Sequence, residues 1–415
     1  MKRIVICLDG TWNQVFGAGD KTNVVKIAQS IRPQAADAAA QLVYYSTGVG
    51  TGGIASRIWG GALGFGLKPI LERAYAFLVL NYQPDDEIFI FGFSRGAYCA
   101  RALAGMVCSA GILKQEHFEQ IDLAWQYYRI RPEIRRAYQP LHAGRRSEAS
   151  EPSVKATASE RTQLVAHAEL SQHGAFNFPV SIKCVGVWDT VGSYGVPAGF
   201  GLGAIARLFA SGLFGFHDTT FPDCVEIGLH ALAIDEKRRP FAPTLWTTKV
   251  GEQQGAHVEQ VWFAGAHANI GGGYLDSRLS DIALDWMIAR VAALTHLEFA
   301  ASTDRPNPRD EVDGQVYDSR HIWGLIYWPI SKFVPYVRRV LAGRAAGTPP
   351  AADGTPTQPI NEFIHQSLIE KRGRPCVIDG RPDTPYQPEI CPGMYPHIKC
   401  RPGDWFQDRQ YVSRH

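Results

Sequence analysis

The sequence predicts an α/β fold: a mainly parallel central sheet with helices on both faces and inserted, lid-like segments. Three observations carry this. Short β-branched apolar runs recur, each ending in glycine or a small polar residue: RIVICLDG, QLVYYSTG, EIFIFGFS, SIKCVGVWDT and VEQVWFAG. These runs are continuous rather than alternating, the pattern of strands covered on both faces. Helix-compatible stretches at 22–40, 66–82, 95–111 and 117–136 lie between strands, and strand–helix alternation builds a parallel sheet.

The first run, Ile4 to Leu8, follows a basic start and is ended by Asp9. Five apolar residues are too few for a signal-peptide core, so the run reads as a buried strand. No stretch of eighteen uncharged apolar residues follows anywhere, so no transmembrane helix is predicted. The expectation is a protein cytoplasmic as synthesised.

The third run ends in Gly92-Phe93-Ser94-Arg95-Gly96, a G-x-S-x-G pattern. A nucleophilic serine must project from a very sharp strand-to-helix turn. Side chains two positions to either side would strike the neighbouring backbone, so glycine stands there. The helix-compatible AYCARALAGMV follows at once, and its N-terminus favours negative charge at the site. The bland alternative is a structural turn whose serine only caps the helix.

A serine needs a histidine to take its proton and an acid to hold that histidine. In α/β hydrolases the chain order is serine, acid, histidine. Asp189 directly follows the IKCVGVW run, and His267 sits just past VEQVWFAG. Both lie where strands end, and the order fits. A carboxylate there could instead cap a turn, and a histidine in a glycine-rich loop could be structural. His365 in FIHQSLIEK and Asp276 stand as alternative triad members. His230 and Asp235 in GLHALAIDEKRRPF read as a helix with a basic end, with Asp235 or Glu236 paired to Arg238 or Arg239. The oxyanion donors would be the N–H of Arg95 and that of Gly10 or Thr11 in LDGTWN. The glycine-rich STGVGTGG lacks the features of a phosphate loop.

Composition narrows the rest. The chain has 415 residues, 45% of them apolar, enough for a large core. A formal net charge of +2 gives no electrostatic case for a nucleic-acid partner. The eight cysteines include no C-x-x-C pair, so neither a zinc site nor a disulfide framework is expected, and no metal or organic cofactor is required.

Five motifs in order, CLDGTWN, GFSRGAYCAR, GVWDTVGSYG, HALAIDEKRRPF and VWFAGAHANIGGGYLDSRLSDIALDWM, resemble an α/β-hydrolase domain family of unknown function. That family includes type VI secretion phospholipase effectors, and the resemblance covers about residues 1–290. It implies an α/β-hydrolase-like fold, a Ser94-Asp189-His267 triad and hydrolysis of lipid or phospholipid esters by a serine esterase or lipase. It also implies export by a type VI system and, for an effector, an immunity or secretion partner. Two rival readings remain: a non-catalytic binding module of the same fold, and an esterase or amidase of soluble substrates.

The expected organisation is a catalytic domain over 1–343 with a mobile insertion at about 140–162, a linker at 344–360, and a C-terminal helix and irregular tail at 361–415 on the same domain. The glycine-rich apolar segments 52–67 and 198–216 and the aromatic segment 322–341 suit a lid or peripheral membrane contact. In the last, Lys332, Arg338 and Arg339 lie beside Trp and Tyr. The alternative is that all three segments pack on the core.

Overall fold

Seven buried or half-buried strands lie side by side and parallel: β1 (Arg3–Leu8), β2 (Gln41–Ser46), β3 (Glu87–Phe93), β4 (Ile182–Trp188), β5 (Val225–Ala233), β6 (His257–Phe263) and β7 (Glu362–His365). Two short strands, β8 (Ile398–Lys399) and β9 (Tyr411–Arg414), extend the β7 edge in antiparallel sense. The order across the sheet is β8-β9-β7-β6-β5-β4-β3-β1-β2. The structure is a computed structural model and describes residues 1–10, 21–48, 67–138, 156–191, 220–238, 241–252, 255–300, 311–317, 338, 355–378, 381–388, 398–399 and 411–414.

Side chains alternate across each strand, so every buried strand feeds two cores. From β1, Ile4, Ile6 and Leu8 join one cluster while Val5 and Cys7 join the other. From β3, Ile88 and Ile90 go one way and Phe89, Phe91 and Phe93 the other. The first core is closed by α2 (Leu67–Asn81), α3 (Arg95–Ala110), α4 (Ile121–Arg129), α5 (Pro132–Tyr138) and α6 (Ala158–Gln172). The second is closed by α1 (Asn23–Ser30) and α8 (Arg278–Leu294), with the short α7 (His267–Gly271) between β6 and α8. The sheet is therefore covered on both faces, which is why its strands read as unbroken apolar runs.

Strand order places the functional end. The chain runs from β1 outward to the β2 edge, returns over β1 to β3, and then proceeds the other way through β4, β5 and β6. The direction reverses between β1 and β3. At such a switch point the loops after neighbouring strands diverge and leave a crevice at their carboxyl ends. Register fixes what meets there: Leu8 lies opposite Gly92, and Phe93 opposite Trp188.

Five predicted strands are strands, and the helices after β2 and β3 fall within a residue of expectation. Other readings change. The stretch 22–40 is helical only over α1, because the chain turns extended at Ile31. GLHALAI is β5, in the middle of the sheet, not a helix. From Ile227 to Ala233 every residue is buried, His230 included, so burial within this run does not separate a central strand from a buried helix. The stretch 117–136 splits into a 3₁₀ turn, α4 and α5, because Ile130 is extended and Pro132 opens the next helix. Of the expected insertion, residues 158–162 already belong to α6, whose first turn is set by a capping box between Thr157 and Glu160. Residues 139–155 lie outside the described residues. INEFIHQSLIEKR is strand β7 followed by α9 (Gln366–Lys371), not one helix.

The end of the expected linker is a strand as well: Thr357–Pro359 pairs with Thr247–Lys249. Cys108 and Cys224 form a disulfide, against the expectation of free thiols. The end of α3 and the start of β5 meet across 116 residues of sequence, a proximity no spacing pattern reveals. Cys7, Cys99, Cys184 and Cys376 are free and buried. Among the described residues no helix is long and apolar enough to cross a membrane.

One buried side chain joins four parts of this frame. Gln260 in β6 has no exposed surface. Its Nε2 donates to the carbonyls of Trp246 (3.0 Å) and Ile360 (2.7 Å), and its Oε1 accepts from Trp246 N–H (2.8 Å) and from His230 Nδ1 (3.3 Å). Truncation would leave buried polar groups without partners. Gln260→Ala is expected to lower unfolding stability by at least about 2 kcal/mol, read as a reduced urea midpoint at unchanged slope.

Candidate active site

Ser94 stands at the seam between β3 and α3 with φ 58° and ψ −121°, a strained left-handed conformation for a non-glycine residue. The two glycines explain how the chain reaches it. A Cβ on Gly92 would lie 2.5 Å from the Gly96 carbonyl oxygen, and a Cβ on Gly96 would lie 2.1 Å from the Leu8 oxygen and 2.5 Å from that of Asp9. The elbow thus packs backbone against backbone, both within its own turn and against the end of β1.

The Ser94 N–H donates to the Trp188 carbonyl at 3.0 Å, tying the elbow to the end of β4. Asp189 is the next residue. It has no exposed surface and adopts φ 39°, and its N–H donates to the Ala231 carbonyl at 2.7 Å. Asp189 Oδ2 accepts from His267 Nδ1 at 2.6 Å, and Oδ1 accepts from Ala233 N–H at 3.0 Å. The other ring nitrogen, Nε2, lies 2.7 Å from Ser94 Oγ. With an ionised carboxylate on the Nδ1 side, Nδ1 carries the proton and Nε2 is free to accept the serine's. The contacts run continuously from hydroxyl to imidazole to carboxylate.

His267 opens α7 four residues past β6. Its ring lies between Phe93 (centroids 4.7 Å apart) and Phe241 (5.0 Å, edge-on). Its backbone N–H donates to Glu236 Oε2 at 3.3 Å. Glu236 in turn holds Arg238 in a fork, with Nε to Oε1 at 2.8 Å and Nη2 to Oε2 at 2.9 Å. The Arg238 guanidinium covers the Phe241 ring at 3.5 Å. Glu236 and Arg238 thereby hold the histidine's backbone and one wall of its ring.

Burial lowers the proton affinity of His267 below the ordinary imidazole value, working against the Asp189 carboxylate, which raises it. Burial alone would raise the Asp189 carboxyl, but Arg338 and then His267 pull it far below the usual carboxylate range. His230 sits behind the acid. Burial, then the charge of Arg101, lowers it to about 3. It is neutral, accepts from Thr190 N–H at Nε2 (3.2 Å), and so fixes the residue after Asp189.

The sequence-predicted residues fall into two groups. Ser94, His267 and Asp189 are brought together. Gly10 lies two residues past β1, and its N–H donates to Asp9 Oδ1 at 2.6 Å. Asp9 Oδ2 accepts from Thr22 Oγ1 (2.7 Å) and Tyr45 OH (2.8 Å), which holds the β1 end in place. Arg95 is the first residue of α3, with its guanidinium lowered to about 10 by burial. Thr11 lies outside the described residues.

The alternatives are engaged elsewhere. His365 accepts from Ser367 N–H at the start of α9 and stacks on Phe263. Asp276 binds Arg278 and accepts from Gln315 N–H at 2.8 Å. Asp235 accepts from Gly265 N–H (2.7 Å) and Tyr386 OH (2.6 Å), while Glu236 takes Arg238 as expected. For Arg338 the sequence left open a lid or membrane contact and packing on the core, and the second holds: it is buried against Asp189, with Nη2 at 3.0 Å from Oδ2 and Nη1 on Oδ1. No local signal marks it, because the pair is 149 residues apart in the chain. Lys332 and Arg339 lie outside the described residues, as do segments 198–216 and, but for Arg338, 322–341.

Comparison with known proteins places the chain in a family. Residues 2–290 match the catalytic domain of the type VI secretion phospholipase effectors described as Tle1-like, and the chain belongs to that family. An uncharacterised protein of Saccharomyces cerevisiae, YEL023C, is 28% identical over 260 residues, 59% of this chain and 33% of its own. Two solved structures are similar at 18% identity. One is an uncharacterised protein from Pseudomonas aeruginosa, with TM-score 0.35 over 73% of this chain and 48% of its own. The other is the Tle1 effector bound to the VgrG spike of the type 6 secretion system, with TM-score 0.32 over 66% and 51%. The chain thus spans a third to a half of the length of these relatives.

The elbow makes a sharp prediction. Gly96→Ala puts a methyl group where the Leu8 and Asp9 carbonyls already lie, so β1 and α3 must separate. We expect a loss of about 2 kcal/mol or more, measured by thermal or urea unfolding.

Proposed function

We propose that this chain is a serine hydrolase that cleaves carboxylic esters of lipids, phospholipids among them. The observation that carries this reading is the unbroken contact from Ser94 Oγ through His267 to Asp189 on a strained elbow at the strand ends. The lipid substrate and export by a type VI system rest on membership of a family described as phospholipase effectors. No metal or organic cofactor enters the chemistry of this site.

In the proposed reaction Ser94 Oγ attacks the ester carbonyl carbon while its proton passes to His267 Nε2. Asp189 keeps the ring oriented and balances the imidazolium. The tetrahedral oxyanion is held by the Arg95 N–H at the N-terminus of α3, and by Gly10 or Thr11 after β1. For Gly10 this requires its N–H to turn from Asp9 Oδ1 to the substrate oxygen. Collapse returns the carbonyl, breaks the ester C–O bond, and releases the alcohol with the proton from Nε2. Water, deprotonated by the same nitrogen, then attacks the acyl carbon, the C–Oγ bond breaks, and Nε2 returns the proton to Ser94 Oγ as the acid leaves.

The rival is a binding module that keeps the elbow without turnover. A strained serine in contact with a buried His–Asp pair favours the enzyme. Labelling with a fluorophosphonate separates the two, because only an activated serine reacts.

The test is hydrolysis of graded p-nitrophenyl esters and phospholipid vesicles by wild type and Ser94→Ala. The variant should fold normally and lose about 10⁴-fold or more in turnover, and wild-type activity should rise on vesicles. Comparable turnover by both proteins would discard the mechanism. Activity confined to short soluble esters would discard the lipid.

The base must be neutral to act, and the His267 ring is lowered from 6.5. Activity therefore appears as pH rises through that lowered value. The acid limb of kcat/KM should lie below about pH 6.5, with the plateau already reached near neutrality.

A further inference from the structure

Arg338 is 1% exposed and Asp189 has no exposed surface, and they meet through both carboxylate oxygens. The arginine also donates from Nη1 to the Ala233 carbonyl (2.7 Å) and from Nη2 to the Phe241 carbonyl. One guanidinium thus joins three parts: the acid after β4, the end of β5, and the segment whose Phe241 ring walls His267. Asp189 is left in a cage of His267 Nδ1, the Ala233 N–H and the two arms of Arg338.

A planar fork fixes a carboxylate in plane and in rotation, which a single point charge does not. An acid that orients a histidine from one oxygen needs that oxygen held still. We propose that Arg338 is a positioning residue of the reaction, holding Asp189 rigid and ionised so that Oδ2 keeps the His267 ring aimed at Ser94. The proposal rests on the serine-hydrolase reading.

A second effect follows from charge. The carboxylate favours the imidazolium, and a cation on the carboxylate weakens that pull. The groups facing His267 are Asp189 after β4, Glu236 and Arg238 after β5, Ser94 on the elbow, and Arg338 behind Asp189. Arg238 is held by Glu236, so its charge is offset locally. The charge of Arg338 faces Asp189. Taking it away leaves Asp189 free to draw a proton onto the pair at a higher pH.

The test uses wild type, R338M and R338K. The His267 ring is titrated by NMR with labelled histidine, assigned by H267Q, and fluorophosphonate labelling of Ser94 is followed against pH. In R338M the ring titration should move up by about one pH unit, and the acid limb of labelling should move with it. Labelling at neutral pH should fall on the order of tenfold or more, as for a misplaced catalytic pair. R338K keeps the charge and loses the fork, so its ring titration should stay near that of wild type while labelling slows.

A folded R338M with an unmoved ring titration and wild-type labelling overturns the proposal. If R338M does not fold, R338K decides: slowed labelling at an unshifted ring titration supports the proposal, and wild-type labelling overturns it. A wild type that never labels at Ser94 overturns the hydrolase reading instead, and the ring titration alone then decides whether Arg338 governs the pair.

Discussion

A carboxylate with no exposed surface must be compensated from within the protein, and Asp189 sets what its neighbours have to be. Moving an ion out of water is costly unless hydrogen bonds and countercharge replace the lost hydration. Asp189 gets both from His267, the Ala233 N–H and Arg338. Each of these contacts also fixes geometry. The bond to β5 holds the carboxylate at a set height above the sheet, the arginine sets its plane, and the histidine takes the remaining direction. A burial that would be unfavourable with fewer partners becomes the means by which an imidazole on one strand end is aimed at a serine on another.

The serine arrives from a different constraint. Strand order reverses between β1 and β3, so the loop after β1 and the helix after β3 diverge and leave space above the strand ends. To use that space the chain must turn within one residue, and its backbone must pass within contact distance of β1. Glycine at 92 and 96 is the only side-chain choice that fits the close approach. Register supplies the rest: pairing Phe93 with Trp188 puts Ser94 beside Asp189 before any side chain is considered. Asp9, bound by Thr22 and Tyr45, holds the β1 end to which the elbow is packed.

Much of this is legible in the sequence where the cause is local. The Gly92–Gly96 spacing and the apolar runs before Asp189 and His267 mark three strand ends, because a turn or a stop is written in adjacent residues. The reading fails where the cause is distant. β5 is buried throughout Ile227–Ala233 with the polar His230 inside it, so polarity does not mark its inner and outer faces, and its meaning depends on β4 and β6 being on either side of it. The Cys108–Cys224 bond and the Arg338–Asp189 pair each join points more than a hundred residues apart. For Arg338 two readings stood open. An arginine among aromatics suits a membrane edge and a buried ion pair equally well on composition alone, and only the fold separates them.

The charges around the imidazole show how these pieces serve the proposed reaction. At rest, Asp189 and Glu236 carry two negative charges, and Arg238 and Arg338 two positive ones, each pair joined directly. His267 is neutral within that balance, its burial outweighing the pull of Asp189. When Ser94 gives up its proton, an imidazolium and an oxyanion form together, so the site's net charge is unchanged across the step. Two ion pairs already joined can stabilise such a dipole with fixed groups. The imidazolium meets the Asp189 carboxylate at 2.6 Å. The oxyanion meets the N-terminus of α3, a sixteen-residue helix whose dipole favours negative charge there. The two charges created by the reaction thus each face a partner of opposite sign that the fold had already put in place.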